Sequence, residues 1–186
     1  MDRATAFALL QEHARGEVLI RHGLAVEACM RAYARKLGGD EELWGVTGLL
    51  HDFDWDVCPA PEQHPHFGAQ ILRQRGYPDE IVHAVLSHGN HTGVARESPM
   101  EKALFAVDEL SGFVTAVALV RPSKSLAETD ARSVRRKMKD KAFARTVNRD
   151  DIAQGAEELG VDLDQHIEFV IQALKPVSAE LGLKAG

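Results

Sequence analysis

Between Ser98 and Val120 runs the most apolar helical stretch of the chain, and it carries a carboxylate on its apolar side. Leu104, Val107, Asp108, Ser111, Val114 and Thr115 fall at helical spacing on one side of residues 99–120. Ser98-Pro99-Met100-Glu101 marks the start: a serine cap, a proline at the first helical position and a glutamate placed to close a capping box. Burying a carboxylate in such a stripe costs several kcal/mol unless something compensates it. A fold built around this helix therefore has to supply Asp108 with partners.

The other segments show the same period. Apolar residues recur at i, i+3, i+4 and i+7, and strand-like alternation is scarce, so the expected fold class is all-α. Residues 3–14 form a first helix with Ala4, Phe7, Leu10 and Ala14 inward, and Gly16 breaks it. Residues 18–37 carry Leu19, Val26, Cys29, Met30, Tyr33 and Leu37 on one stripe, with His22 among them. Gly38-Gly39 ends that helix, and Asp40 caps the next, 41–51, with Leu43, Trp44, Thr47, Leu50 and His51 at helical spacing. Pro59 and Pro61 keep 53–61 irregular. A helix restarts near His64-Pro65 and runs to about Arg75, with His64, Phe67, Gly68, Ile71 and Leu72 inward. The next, 79–88, sets Ile81, Val85 and His88 on one face. Arg121-Pro122 ends the apolar helix, and 150–159 and 163–182 close the chain.

Composition bounds the possibilities. A chain of 186 residues, 45% hydrophobic, suits one domain over 1–186, with a core at about 15–120 and the segments 121–149 and 150–183 packed on it. No apolar run reaches the roughly 20 residues that span a bilayer, and Met1-Asp2-Arg3-Ala4-Thr5 lacks a signal-peptide core, so no membrane partner and a cytoplasmic location are expected. Two cysteines, Cys29 and Cys58, make no disulfide framework. A net charge of −6 argues against nucleic acid as the partner. Against that balance, residues 121–149 hold ten lysines and arginines and only three acids, Glu128, Asp130 and Asp140.

Four successive helices each place one ligand-type residue on their apolar stripe: His22, His51, His64 and His88. Asp108 lies on a fifth, and Asp52 adjoins His51. One histidine on a stripe is more often a packed core residue than a ligand, but six such groups are better explained together. Imidazole and carboxylate donors suit Mn, Fe, Co, Ni, Mg or Zn, and the lack of cysteine in the set argues against a structural zinc. His66 rivals His64. His13, His83 and His166 read as surface or structural, Asp54 and Asp56 as solvated, and Glu109 as surface.

The order His22, His51-Asp52, Asp108 resembles the signature of the HD-domain superfamily of metal-dependent phosphohydrolases. His64-Pro65-His66-Phe67-Gly68-Ala69 and Val85-Leu86-Ser87-His88 extend the likeness to its HDIG-type subgroup, over about residues 15–120. Residues 121–150 resemble the tail of small stand-alone bacterial HDIG-type proteins. The resemblance implies an all-helical bundle with one or two divalent metal ions between core helices. His22, His51, Asp52 and Asp108 would hold one, and Asp52 would bridge to a second on His64 and His88. It implies hydrolysis of a small phosphorylated substrate, nucleotide-like, by a metal-activated water, with Asp52 catalytic. His88 is followed by Gly89 where a second histidine is common, and His91 is the candidate replacement as a proton-transfer group. His51-Asp52 is followed by Phe53-Asp54-Trp55-Asp56, without the phosphate-contacting lysine of the subgroup. Lys124, Arg136, Lys137 and Lys141 are the candidates to supply that contact, against the plainer reading of the segment as a solvated face. A di-iron HD-domain oxygenase and a non-enzymatic, metal-stabilised module are the competing expectations.

Overall fold

A computed structural model of the chain describes residues 2–60 and 62–184. Pro61, one of the two prolines expected to keep the 53–61 stretch irregular, lies outside the described residues. The described residues form nine α-helices and no strand: α1 Arg3–His13, α2 Glu17–Leu37, α3 Glu41–Leu50, α4 His66–Gln74, α5 Asp79–Ser87, α6 Pro99–Leu119, α7 Ala131–Met138, α8 Arg149–Glu158 and α9 Leu163–Leu174. Among the described residues no helix is long and apolar enough to cross a membrane.

The caps explain most boundaries. Asp2 accepts from the Thr5 N–H, and Asp40 accepts from the N–H groups of Glu42 and Leu43. Ser98 and Glu101 form the expected capping box at the start of α6. Gly38 ends α2 in the left-handed region at φ 75°. Two expectations shift. α9 stops at Leu174 rather than running to 182, because Pro176 has no N–H to continue the ladder and the chain passes into a 3-10 turn at Lys175–Val177. Within 121–149 the structure forms α7, which starts at an Asp130–Ser133 capping box and buries Ala131 and Val134.

α6 is the axis of the fold. It packs against α2, α3, α5, α7, α8 and α9, and its residues from Met100 to Ala118 are buried on nearly every side. The stripes of α2, α3 and α5 close one apolar core around it. Leu37 and Phe67, expected inside, are exposed, as is Ala4.

One contact positions the functional site. α2 and α3 run against each other through a reciprocal pair of glycines. A Cβ on Gly48 would lie 3.0 Å from the Val26 carbonyl oxygen and 2.8 Å from Met30 Cγ; one on Gly23 would lie 3.0 Å from the Leu49 carbonyl oxygen. Only glycine permits this backbone approach. It sets His22 of α2 directly against His51 at the end of α3.

Candidate metal centre

His51 and His88 are prepared in the same way. Each sits at the C-cap of its helix, His51 after α3 and His88 after α5. The last turn of a helix leaves carbonyls without intrahelical donors. His51 Nδ1 lies 2.7 Å from the Gly48 carbonyl oxygen, and His88 Nδ1 lies 2.6 Å from that of Val85. A carbonyl oxygen only accepts, so both Nδ1 atoms carry a proton, and in the neutral ring Nε2 is the atom left to present a lone pair. His64 is fixed by a carboxylate instead: its Nδ1 lies 2.8 Å from Asp54 Oδ1, and the other oxygen of Asp54 accepts from the Gly68 N–H at 2.8 Å.

The freed nitrogens converge. His22 Nε2 is 3.2 Å from His51 Nε2 and 3.0 Å from Asp108 Oδ1, which is 3.3 Å from His51 Nε2. Asp52 Oδ2 faces the same group, 3.7 Å from His22 Nε2 and 3.6 Å from His51 Nε2. Asp52 Oδ1 faces a second group, 3.1 Å from His64 Nε2 and 3.2 Å from His88 Nε2, themselves 3.3 Å apart. The six residues thus form two groups that could each hold a metal ion, His22/His51/Asp52/Asp108 and Asp52/His64/His88, sharing one carboxylate.

The electrostatics seek a cation. Burial opposes ionising Asp52, yet His51, His64 and His88 overcome it and hold its pKa well below the usual carboxylate value. Burial is likewise outweighed at Asp108, lowered by His51 and His22. Burial also opposes protonating His51 and His64, but the carboxylates around each win and lift both to about 9. Without an ion, protons on these rings balance the carboxylates; a divalent ion would take the place of those protons and meet the same nitrogen and oxygen atoms. The donor types, nitrogen and oxygen with no thiolate, fit divalent ions of the Mn, Fe, Co, Ni, Mg or Zn kind, and the fixed Nδ1 partners are what such ligands require.

A cleft of about 600 Å³ opens over this cluster. Trp55, Asn90, His91, Phe105, Glu109, Asn148 and Asp151 help to line it, and among the described residues no lysine or arginine does. The structure therefore does not bring Lys124, Arg136, Lys137 or Lys141 to the cleft. Lys137 lies over the Phe143 ring and 3.7 Å from Asp140, and the other three are exposed. What residues 121–149 contribute is the wall of Thr146, Val147 and Asn148. The Arg149 guanidinium holds that loop by donating to the carbonyls of Phe143, Ala144 and Val147.

His91 does reach the cleft. Its Nε2–H donates to the His64 carbonyl at 2.9 Å, and its ring lies flat over residue 89, where a Cβ would come within 2.5 Å of it. Gly89 thus makes room for the His91 ring. Two residues read as solvated or surface belong to the site. Asp54 is fully buried behind His64. Glu109 lines the cleft, where burial and the neighbouring Asp108 push its pKa up to about 7. The remaining histidines stand apart. His66 is exposed, His83 pairs with Glu101, His13 bonds the Leu9 carbonyl, and His166 is buried between Tyr33 and the Ala106 carbonyl.

Fold and donor set together define an all-helical protein with a two-sided histidine–aspartate ligand cluster. Residues 19–112, half of the chain, match the family model described as HD domain, and the chain belongs to that family. HD domains are mostly metal-dependent hydrolases. Among curated proteins the chain is similar to ribonuclease Y of Desulfotalea psychrophila, 33% identical over 98 residues, and to ribonuclease Y 2 of Levilactobacillus brevis, 29% identical over 98 residues. It is also similar to ribonuclease Y of Rhodopirellula baltica, 32% identical over 94 residues. These matches take in 50–52% of this chain but only 18% of each relative. No solved structure matches the chain.

Proposed function

We propose that this chain is a metal-dependent phosphohydrolase acting on a small, nucleotide-like phosphate ester. The observation that carries the proposal is the split carboxylate of Asp52, one oxygen toward each ligand set. His22, His51, Asp52 and Asp108 would hold one divalent ion, and Asp52, His64 and His88 a second. Divalent ions held there would supply Lewis-acid polarisation of phosphoryl oxygens and a water of lowered pKa. Among the described residues no lysine or arginine lines the main cleft, and Arg15 lines the adjoining pocket that shares His22, Asp52 and Trp55, so most of the phosphoryl charge would fall to the ions.

The protein's own groups do the rest. Asp52 fixes the spacing of the two ligand sets and accepts a hydrogen bond from the attacking water. His91 has committed Nε2–H to the His64 carbonyl, which leaves Nδ1 as the atom that would take a proton from solvent and pass it to the leaving oxygen, returning the ring to its neutral form. Trp55 and Phe105 give the cleft apolar faces for the part of the substrate beyond the phosphate.

The test is the ion content of protein purified without chelator, followed by turnover with that ion, read as phosphate release from p-nitrophenyl phosphate and nucleoside monophosphates and as cleavage products from cyclic dinucleotides and a short RNA. Two ions per chain and ion-dependent turnover are expected, and Asp52→Ala should lose both together. An Asp52→Ala protein with full ion content and full activity would sink the assignment. The likeness to ribonuclease Y favours a second reading, an RNA phosphodiester as substrate; cleavage of the RNA and of nothing else on the panel would select it.

A further inference from the structure

The turn that carries His91 is held from below by one arginine whose side chain is largely enclosed. Arg96 is only 7% exposed, and four of its N–H groups are engaged. Nε and Nη2 donate to the two oxygens of Glu158 at 2.7 and 2.8 Å, Nη1 donates to the Ser87 carbonyl at 3.0 Å, and Nη2 also donates to Asn90 Oδ1 at 2.8 Å. The guanidinium lies over the Phe105 ring, 3.6 Å from its centroid. Asn90 completes the tie from its other end, with Nδ2 donating to Asp151 at 2.9 Å and to Gln154 at 3.1 Å.

Three of those contacts reach the cleft or the residue beside it. Ser87 precedes His88, Asn90 precedes His91, and Phe105 is a cleft wall. A half-buried ion pair such as this is weak evidence for stability, because desolvation offsets much of its Coulombic gain. Its attested use is to specify one arrangement among several. We infer that Arg96 is a positioning residue, which clamps the Ser87–Arg96 turn to α8 and thereby sets His91 against the His64 carbonyl. The catalytic consequence rests on the phosphohydrolase reading; the positioning does not.

The test separates the two. In ¹⁵N-labelled protein, the His91 Nε2–H donated to the His64 carbonyl should give a slowly exchanging signal, assigned by its loss in His91→Asn. Arg96→Gln should accelerate its exchange at least tenfold while the His166 Nε2–H, buried against the Ala106 carbonyl, stays unchanged as a control for the fold. Should the His166 signal also vanish, Asn90→Ala cuts the link from Arg96 to the turn and leaves the Glu158 pair in place. An unchanged His91 signal in a variant that retains the His166 signal overturns the positioning role. For activity, Arg96→Gln should lower kcat at least tenfold with an alkyl phosphate, whose leaving oxygen needs a proton. It should change p-nitrophenyl phosphate turnover less than twofold and add nothing to His91→Asn. Equal losses with both esters would refute action through His91. Wild-type protein inactive on both would count against the phosphohydrolase reading alone, with the exchange measurement still deciding the clamp.

Discussion

A carboxylate that accepts from an imidazole Nδ1–H fixes the ring and raises the basicity of the opposite nitrogen. Asp54 stands in that relation to His64, and its second oxygen is already committed to the Gly68 N–H. Both neighbours are donors, so both oxygens must accept. Asp54→Asn keeps the size but turns one acceptor into a donor that faces a donor. Affinity for the ion on the Asp52/His64/His88 side should fall about 10–100-fold. Chelator competition should then show one ion lost early and one retained by the His22 side; two ions released together at wild-type affinity would contradict the role. Asp54 was illegible because residues 51–57 form a succession of turns, with no period to say which side chain faces in. His22, His51, His88 and Asp108 were legible for the opposite reason: each stands on or at the end of a helix whose apolar stripe fixes its direction.

Elements obey the same division. Period and caps marked most helices to within two residues, the end of α9 and the whole of α7 excepted, but nothing in a stripe says which helix it meets or how closely. The α2/α3 contact turns on Gly23 and Gly48, which leave no mark in an apolar pattern. Gly48→Ala places a methyl 3.0 Å from the Val26 carbonyl oxygen and 3.1 Å from the Glu27 nitrogen, and backbone atoms in mid-helix cannot yield as a side chain can. The helices must part, at a cost of about 1–3 kcal/mol. The same displacement pulls His51 away from His22. Urea unfolding should show the loss of stability, and ion analysis should show impaired loading of the His22/His51/Asp52/Asp108 set. Destabilisation with normal loading would mean that the site tolerates the shift. The basic segment misled for an electrostatic reason. Its charge density describes a solvated face, while the member that organises the cleft wall, Arg149, turns inward onto carbonyls and the Phe113 ring.

At the scale of the molecule, the C-terminal helices are tied to the core through a buried histidine. Tyr33 of α2 donates its hydroxyl to His166 Nδ1 at 2.6 Å, and His166 Nε2–H, on α9, donates to the Ala106 carbonyl of α6 at 2.8 Å. Neutral imidazole satisfies both bonds; a protonated ring would offer Tyr33 a second donor in a buried place. Burial is the main reason its pKa lies below the ordinary 6.5, with the nearby Lys36 adding to it and the Ala106 bond opposing. The unfolded chain therefore binds a proton at this residue before the folded chain does. Stability from this group is complete above about pH 6.5 and declines as pH falls below it, by up to about 1.4 kcal/mol per pH unit until the folded form also protonates. His51 and His64, whose pKa values are raised, shift stability in the opposite direction. The comparison is therefore between wild type and His166→Asn, both in chelator, by urea unfolding from pH 8 to pH 5. The variant is expected to be less stable at pH 8, with the gap narrowing below pH 6.5. A gap that stays constant across the range would show that His166 does not titrate on unfolding, and that the junction of α2, α6 and α9 owes nothing to its neutral form.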